Sequence, residues 1–195
     1  MKKREGGCLV NGGTHAALGF ASGVAALSLQ EAEVYEGFVV LSAIFASLLP
    51  DLDEENSMIY GYTMGKVSPN VRRYLVGGLG AVCMLLAAFF SGPFFMAGAF
   101  LLAIPFTGHR RFTHSLLALA MVTYIADSIH PDFKIPVMLG YLSHLLADSL
   151  TVSGVPWLWP MTKTFRFAKL KTGGVPDFLI GYIALFYALI EWYRM

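Results

Sequence analysis

Histidine and aspartate side chains recur within or beside the apolar segments of this 195-residue sequence. The stretch GYLSHLLADSLT places His144 and Asp148 four residues apart, which puts both on one face of a helix. A pair with this spacing can present two ligands to one metal ion. Because an ionisable group inside a membrane segment costs several kcal/mol on insertion scales, we interpret the pair as part of a functional site.

Further candidate ligands lie in the first apolar segment and beside two others. His15 lies in the first segment, and LLPDLDEEN supplies Asp51 and Asp53. GHRRFTHSLL supplies His109 and His114. Imidazole nitrogens combined with carboxylate oxygens suit zinc or another first-row divalent ion, which would also neutralise the carboxylates. The candidate metal ligands are therefore His15, Asp51, Asp53, His109, His114, His144 and Asp148.

The composition indicates that membrane helices position these residues. Hydrophobic residues make up 56% of the chain and charged residues 14%, whereas soluble domains carry about 25% charged residues. The net charge of +1 offers no basic face for a nucleic acid. We therefore expect an all-α, polytopic membrane bundle of about seven transmembrane helices, forming one domain over 1–195. The predicted helices cover about 9–29, 34–50, 74–91, 93–107, 112–129, 135–152 and 175–193.

The break at SGP, residues 91–93, decides the topology. We interpret it as a tight hairpin, because proline removes a backbone donor and disfavours helix in the preceding residue. A single kinked helix is the alternative. With a hairpin and a cytoplasmic N-terminus, every Lys and Arg except Lys134 and Arg194 lies on the cytoplasmic side. The seven candidate ligands then lie near that same leaflet. The first segment also fits a signal peptide, but we favour a retained helix because His15 interrupts it.

Three stretches resemble a known family. LLPDLDEENS, GHRRFTHSLLAL and LGYLSHLLADSLTVSGVPWLWP are similar to motifs of the YdjM-like proteins of the bacterial inner membrane, which are known as metal-dependent hydrolases distantly similar to zinc-dependent phospholipase C. The resemblance covers roughly residues 13–170. It implies a metal role for His15, Asp51, His114, His144 and Asp148. It also implies that Asp53 and His109 are additional ligands or partners of ligands, and that the protein lies in the inner membrane.

The expected chemistry is hydrolysis by metal-activated water, with one or two divalent ions, most simply zinc. Asp53 is the candidate general base. Arg110 and Arg111 are candidates for holding a phosphate, although setting the membrane topology would explain them equally well. Because the site lies just below the lipid headgroups, the expected substrate is a lipid phosphoester such as a phospholipid. The sequence leaves the oligomeric state open.

Other readings of the same residues stay open. A single-zinc amidase of the ceramidase type would use similar ligands, and a divalent metal transporter would use them as a permeation site. A non-catalytic scaffold would hold a structural metal in a closed coordination shell. Next to the site, we expect an interfacial segment in which two tryptophans anchor and four basic side chains attract anionic lipid. Its members are Trp157, Trp159, Lys163, Arg166, Lys169 and Lys171.

Overall fold

The computed structural model describes residues 9–54, 67–90, 92–107, 110–171 and 173–195. Within these ranges the chain forms seven α-helices. They are α1 (Leu9–Leu29), α2 (Glu36–Leu48), α3 (Pro69–Leu86), α4 (Pro93–Ala103), α5 (Leu116–Ile129), α6 (Lys134–Ser149) and α7 (Val175–Arg194). Short 3-10 turns follow α2, α4 and α5, at Leu49–Asp53, Ile104–Phe106 and Pro131–Phe133.

The start of α5 differs from the sequence prediction. A start at residue 112 was expected, whereas the helix begins at Leu116. Ser115 ends the preceding turn in an extended conformation, and its hydroxyl accepts a hydrogen bond from the amide of Ala118 at 3.2 Å. This is the usual N-terminal cap of a helix. His114 therefore lies in a turn before the helix, so local contacts set its orientation.

The hairpin between the third and fourth helices is confirmed. α3 ends at Leu86, α4 begins at Pro93, and the two helices pack along each other. Gly92 has a φ of 85°, a conformation that side chains with a Cβ rarely adopt. The reversal therefore depends on the glycine and proline that the sequence places there.

One described helix, α7, is long and apolar enough to cross a membrane, judged by length and composition. The apolar stretches Pro93–Phe106 and Leu116–Ile129 are shorter. A helix needs about 20 residues to cross a hydrocarbon core, whereas α2 has 13 and α4 has 11. The all-helical prediction is confirmed for the described residues, and the prediction of seven membrane spans is not.

Helices α1, α2 and α6 pack against one another, with α7 on α1 and α5 on α6. Gly140 of α6 approaches the carbonyl oxygen of Ala43 in α2 so closely that a Cβ would overlap it. Gly19 of α1 meets Ser47 of α2 in the same way. Small residues that let helix backbones approach are typical of packing between membrane helices. These contacts fix the relative positions of the three helices that carry or precede most candidate ligands.

The connection between α6 and α7 folds back against the bundle. A parallel bridge joins Thr151 to Leu170. The indole of Trp157 donates to the hydroxyl of Ser149 at 2.8 Å, and the indole of Trp159 packs against the core. Both indoles are partly buried against the helices, and the prediction that they anchor the segment in the lipid interface stays a prediction.

Candidate metal centre

Four elements bring five of the predicted ligands to one place. His15 lies on α1, Asp51 in the turn after α2, and His114 in the turn before α5. His144 and Asp148 lie one turn apart on α6, as their spacing predicts. The three imidazoles and Asp148 have no exposed surface, and Asp51 is 9% exposed. The predicted convergence of these side chains is confirmed.

Two imidazole nitrogens lie at metal-ligand spacing from each other and from one oxygen of each of two carboxylates. The Nε2 atoms of His114 and His144 are 3.3 Å apart. Asp148 Oδ2 lies 3.4 Å from the first of these nitrogens and 3.8 Å from the second. Asp51 Oδ1 lies 3.8 Å and 3.7 Å from the same two atoms. Tetrahedral zinc with bonds of about 2.0–2.1 Å holds its ligand atoms about 3.4 Å apart, so these distances fit one ion.

A backbone carbonyl fixes the orientation of His144. Its Nδ1 lies 2.7 Å from the carbonyl oxygen of Ser47, which can only accept a hydrogen bond. Nδ1 therefore carries the proton, and Nε2 presents its lone pair to Asp51 and Asp148. Metal-binding imidazoles typically donate their other N–H to such an acceptor, which fixes the tautomer and the plane of the ring.

Thr113 and Asp53 orient His114 in a similar way. The Thr113 hydroxyl donates to Asp53 Oδ2 at 2.7 Å, so its oxygen accepts from His114 Nδ1 at 3.0 Å. Nε2 of His114 is then the unprotonated nitrogen. The Tyr141 hydroxyl donates to the carbonyl of Thr113 and holds the same turn. Asp53 thus reaches the site as a partner of a ligand and belongs to neither ligand group among the described residues.

His15 lies against two ligands from the side of α1. Its Nε2 is 3.4 Å from Asp148 Oδ1, and its ring stacks on that of His144. Both ring nitrogens of His15 and both carboxylate oxygens of Asp148 are buried without a hydrogen bond of acceptable geometry. Buried polar atoms normally have partners. The Asp148 oxygens instead lie in ion-pair contact, Oδ1 with His15 at 3.4 Å and Oδ2 with Arg110 at 3.1 Å.

Two overlapping trios of side chains could hold an ion. One consists of Asp51, His114 and His144, and the other of His15, His144 and Asp148. Both include His144, whose Nδ1 is bonded to Ser47. A single Nε2 can bind one ion, so the described residues favour one metal ion over two.

Arg110 lies between the donor atoms and the surface. Its φ of 56° is in the left-handed region, which is uncommon for residues other than glycine. Its amide donates to Asp53 Oδ2 at 3.2 Å, which holds this backbone in place. The guanidinium lies 3.1 Å from Asp148 Oδ2 and 3.4 Å from the hydroxyl of Thr151. The side chain is 20% exposed, so a cation stands at the edge of the buried donor set.

Arg111 and His109 are the remaining predicted site residues. Arg111 is exposed, and its backbone carbonyl accepts from the amide of His114 at 3.3 Å. His109 lies outside the described residues. The predicted roles of Arg111 in phosphate binding and of His109 in metal binding stay predictions.

The residues that orient the ligands were missed from the sequence. Thr113 carried a usable signal, because its hydroxyl is adjacent to a candidate histidine in FTHS. Ser47 acts through its carbonyl, a group that every residue has, so nothing in its identity marks it. Ser115, a serine beside that histidine, caps α5, and its hydroxyl donates to the carbonyl of Phe112.

Comparison with known proteins identifies relatives in bacteria, one of which is named as an inner membrane protein. The model of the family described as YdjM inner membrane protein matches residues 10–194. Inner membrane protein YdjM of Escherichia coli (strain K12) is 35% identical over 139 residues, covering 68% of this chain and 54% of that protein. Uncharacterized protein YvsG of Bacillus subtilis (strain 168) is 40% identical over 76 residues, covering 37% of this chain and 48% of that protein. The chain spans about half the length of these curated relatives. No solved structure matches.

Proposed function

The chain belongs to the YdjM inner membrane protein family, and from that premise we propose that it is a membrane-embedded, metal-dependent hydrolase of a lipid phosphoester. We further propose a polytopic arrangement with the N-terminus in the cytoplasm. The observation that carries the proposal is a buried set of four donor atoms, in which the Nε2 atoms of His114 and His144 are 3.3 Å apart and each lies 3.4–3.8 Å from one oxygen of Asp51 and one of Asp148.

Asp51, His114, His144 and Asp148 would hold the ion. Their nitrogen and oxygen donors fit zinc, and the neutral imidazoles and the two carboxylates would leave a site without net charge around a divalent cation. The buried ring nitrogens of His15, which have no hydrogen bond, support a further polar or charged group at this place. When bound, the ion would supply a Lewis acid that lowers the pKa of a coordinated water toward about 7.

The remaining side chains would orient ligands and substrate. Asp53, acting through the Thr113 hydroxyl, keeps Nε2 of His114 directed at the donor set. His15 holds the far oxygen of Asp148 and the ring of His144. Arg110 offers a partly exposed guanidinium beside Asp148, where it can bind an anionic group such as a phosphate. A lipid is the favoured substrate because the family is one of membrane proteins.

A structural metal site is the second candidate. Four protein ligands complete a tetrahedral shell, and structural zinc sites are closed in this way. Hydrolysis requires a further coordination position. Asp51 is the donor with access to the surface, since its side chain is 12% exposed whereas that of Asp148 is fully buried. Both candidate functions therefore require the bound metal, and only the hydrolase would turn over a substrate.

The deciding experiment combines metal analysis with a substrate screen. The protein, purified in detergent, is assayed for bound metals and then tested on lipid phosphoesters and lipid amides, with and without a chelator. We expect about one zinc ion per chain and turnover of a phosphoester that the chelator abolishes. His144→Ala should lose both the metal and the activity.

Leu146→Ala is a matched control, because Leu146 lies on the same helix and is 46% exposed. It should keep both properties. Bound metal without turnover of any substrate would favour the structural site, and turnover of amides alone would favour the amidase. Turnover that is indifferent to chelator and to His144→Ala would contradict the proposal.

A further inference from the structure

A cleft runs beside the donor set and is separate from it. Thr14 of α1, Ala147 of α6 and Ile180 of α7 line it, and it is shallow and open to the surface. Thr14 and Ala147 immediately precede His15 and Asp148, which places the cleft wall next to the metal ligands. The connection between α6 and α7 completes the wall with Thr151, Leu170 and Lys171.

The cleft combines a cationic part with an apolar part. Lys171 contributes a positive charge near the N-terminus of α7, and Ile180 lies on α7 further along the same helix. α7 is the described helix with the length and composition to cross a membrane. A molecule lying along it would therefore meet a cation first and apolar surface further along. This order of polar and apolar groups matches an anionic lipid.

The segment that contributes Thr151, Leu170 and Lys171 to the cleft is basic as a whole. From residue 150 to residue 176 the chain contains Lys163, Arg166, Lys169 and Lys171 and no acidic residue. The one carboxylate that lines the cleft, Asp177, accepts a hydrogen bond from the amide of Gly173 at 2.8 Å. Exposed apolar side chains accompany the basic ones, including Phe167 at 67% exposure. Such a surface complements anionic lipid headgroups.

Arg110 connects the cleft to the donor set. Its guanidinium contacts the hydroxyl of Thr151, which lines the cleft, and the carboxylate of Asp148, which belongs to the donor set. A phosphate held between Lys171 and Arg110 would lie beside the proposed metal ligands. An acyl chain attached to it would extend toward Ile180.

We propose that this cleft is the entry and binding site of an anionic phospholipid, with its phosphate at Lys171 and Arg110 and an acyl chain along α7. The inference rests on the proposed function because it names the substrate class of that site. Binding can nevertheless be measured without turnover. The two claims can therefore fail separately.

The experiment uses photoactivatable phosphatidic acid with a diazirine in its acyl chain, added to the full-length protein in phosphatidylcholine vesicles. We expect crosslinks to the residues around Ile180 and Ala147, displaced by unlabelled phosphatidic acid. Ile180→Trp should lower the labelling by filling the cleft. Ile183→Trp, at a residue that is 67% exposed on the same helix, should leave it unchanged.

Lys171→Gln is a second cleft variant, which tests the same inference if the tryptophan at position 180 disturbs folding. It should lower labelling by about fivefold, the effect of removing one cation near an anionic lipid. Lys134→Gln is its control, because Lys134 begins α6 at the end away from Asp148 and pairs with Asp127. Labelling elsewhere, or labelling indifferent to both cleft variants, would overturn the inference. Labelling of the cleft without turnover would support the inference and overturn only the hydrolase.

Discussion

The imidazole rings of His15 and His144 stack with their centroids 3.8 Å apart and their planes inclined by 20°. The two residues lie on α1 and α6, so the stack joins two helices directly at the candidate metal site. His144 supplies one of the four donor atoms and lies near Asp148 Oδ2, whereas His15 contacts the other oxygen of that carboxylate, Oδ1. α1 therefore supports ligands that α6 carries.

His15 should strengthen metal binding without being required for it. His15→Phe keeps a ring that can stack and removes both nitrogens, so we expect one ion per chain with affinity lowered about 10–100-fold, as for other partners of ligands. His144→Ala should lose the ion altogether. Metal titration against a chelator of known affinity measures both. Equal loss in the two variants would make His15 a ligand and contradict this assignment.

The Thr113 hydroxyl should control the affinity of His114 for metal. Thr113→Val keeps the shape and removes the bridge between Asp53 and His114 Nδ1, so we expect affinity to fall about 10–100-fold. Thr123→Val is the matched control, because the Thr123 hydroxyl is buried without a partner and its loss should be neutral or stabilising. The same titration, with thermal unfolding of both variants, tests this. Equal metal affinity in the two variants would exclude the bridge.

The approach of α6 to α2 should be sensitive to a single methyl group. In Gly140→Ala the new Cβ would overlap the Ala43 carbonyl, and we expect a loss of about 1–3 kcal/mol in unfolding free energy. Gly78→Ala on α3, where nothing lies within 4 Å of the added Cβ, should gain about 0.5–1 kcal/mol from helix propensity. Unfolding in mixed micelles compares the two. The opposite order of stabilities would refute the packing described for α2 and α6.

The backbone conformation at position 110 favours glycine, whereas the contact with Asp148 requires the arginine side chain. At a φ of 56°, Arg110→Gly should be more stable than Arg110→Ala by about 1 kcal/mol, because glycine adopts the left-handed region freely. Both variants lose the guanidinium next to Asp148, so both should bind phosphatidic acid more weakly. Unfolding and lipid-binding measurements separate the two effects. Alanine and glycine variants of equal stability would show that the backbone relaxes there.

Periodicity predicted the parts of the site that depend on one helix. The four-residue spacing of His144 and Asp148 fixed their common face, and the break before Pro93 fixed the hairpin. The charge pattern also placed the candidate ligands at one end of the bundle, and five of them converge there. These properties follow from local geometry and from the distribution of charge, both of which can be derived from one sequence.

Contacts between elements could not be predicted in the same way. The carbonyl of Ser47 orients His144 only because α2 ends beside α6, and that depends on the close approach at Gly140. The left-handed backbone of Arg110 is held by a hydrogen bond from its amide to the carboxylate of Asp53, which lies on another element. The late start of α5 could have been found, since Ser115 precedes an apolar run as a helix cap does. Apolar periodicity outweighed that signal in the prediction.

The central claim is that Asp51, His114, His144 and Asp148 bind one divalent metal ion, and anomalous diffraction from crystals of the protein loaded with zinc tests it most directly. We expect a single anomalous peak at the zinc edge, within about 2.0–2.2 Å of donor atoms from these four side chains. A zinc peak bound elsewhere, or no peak among these residues in a fully loaded protein, would contradict it.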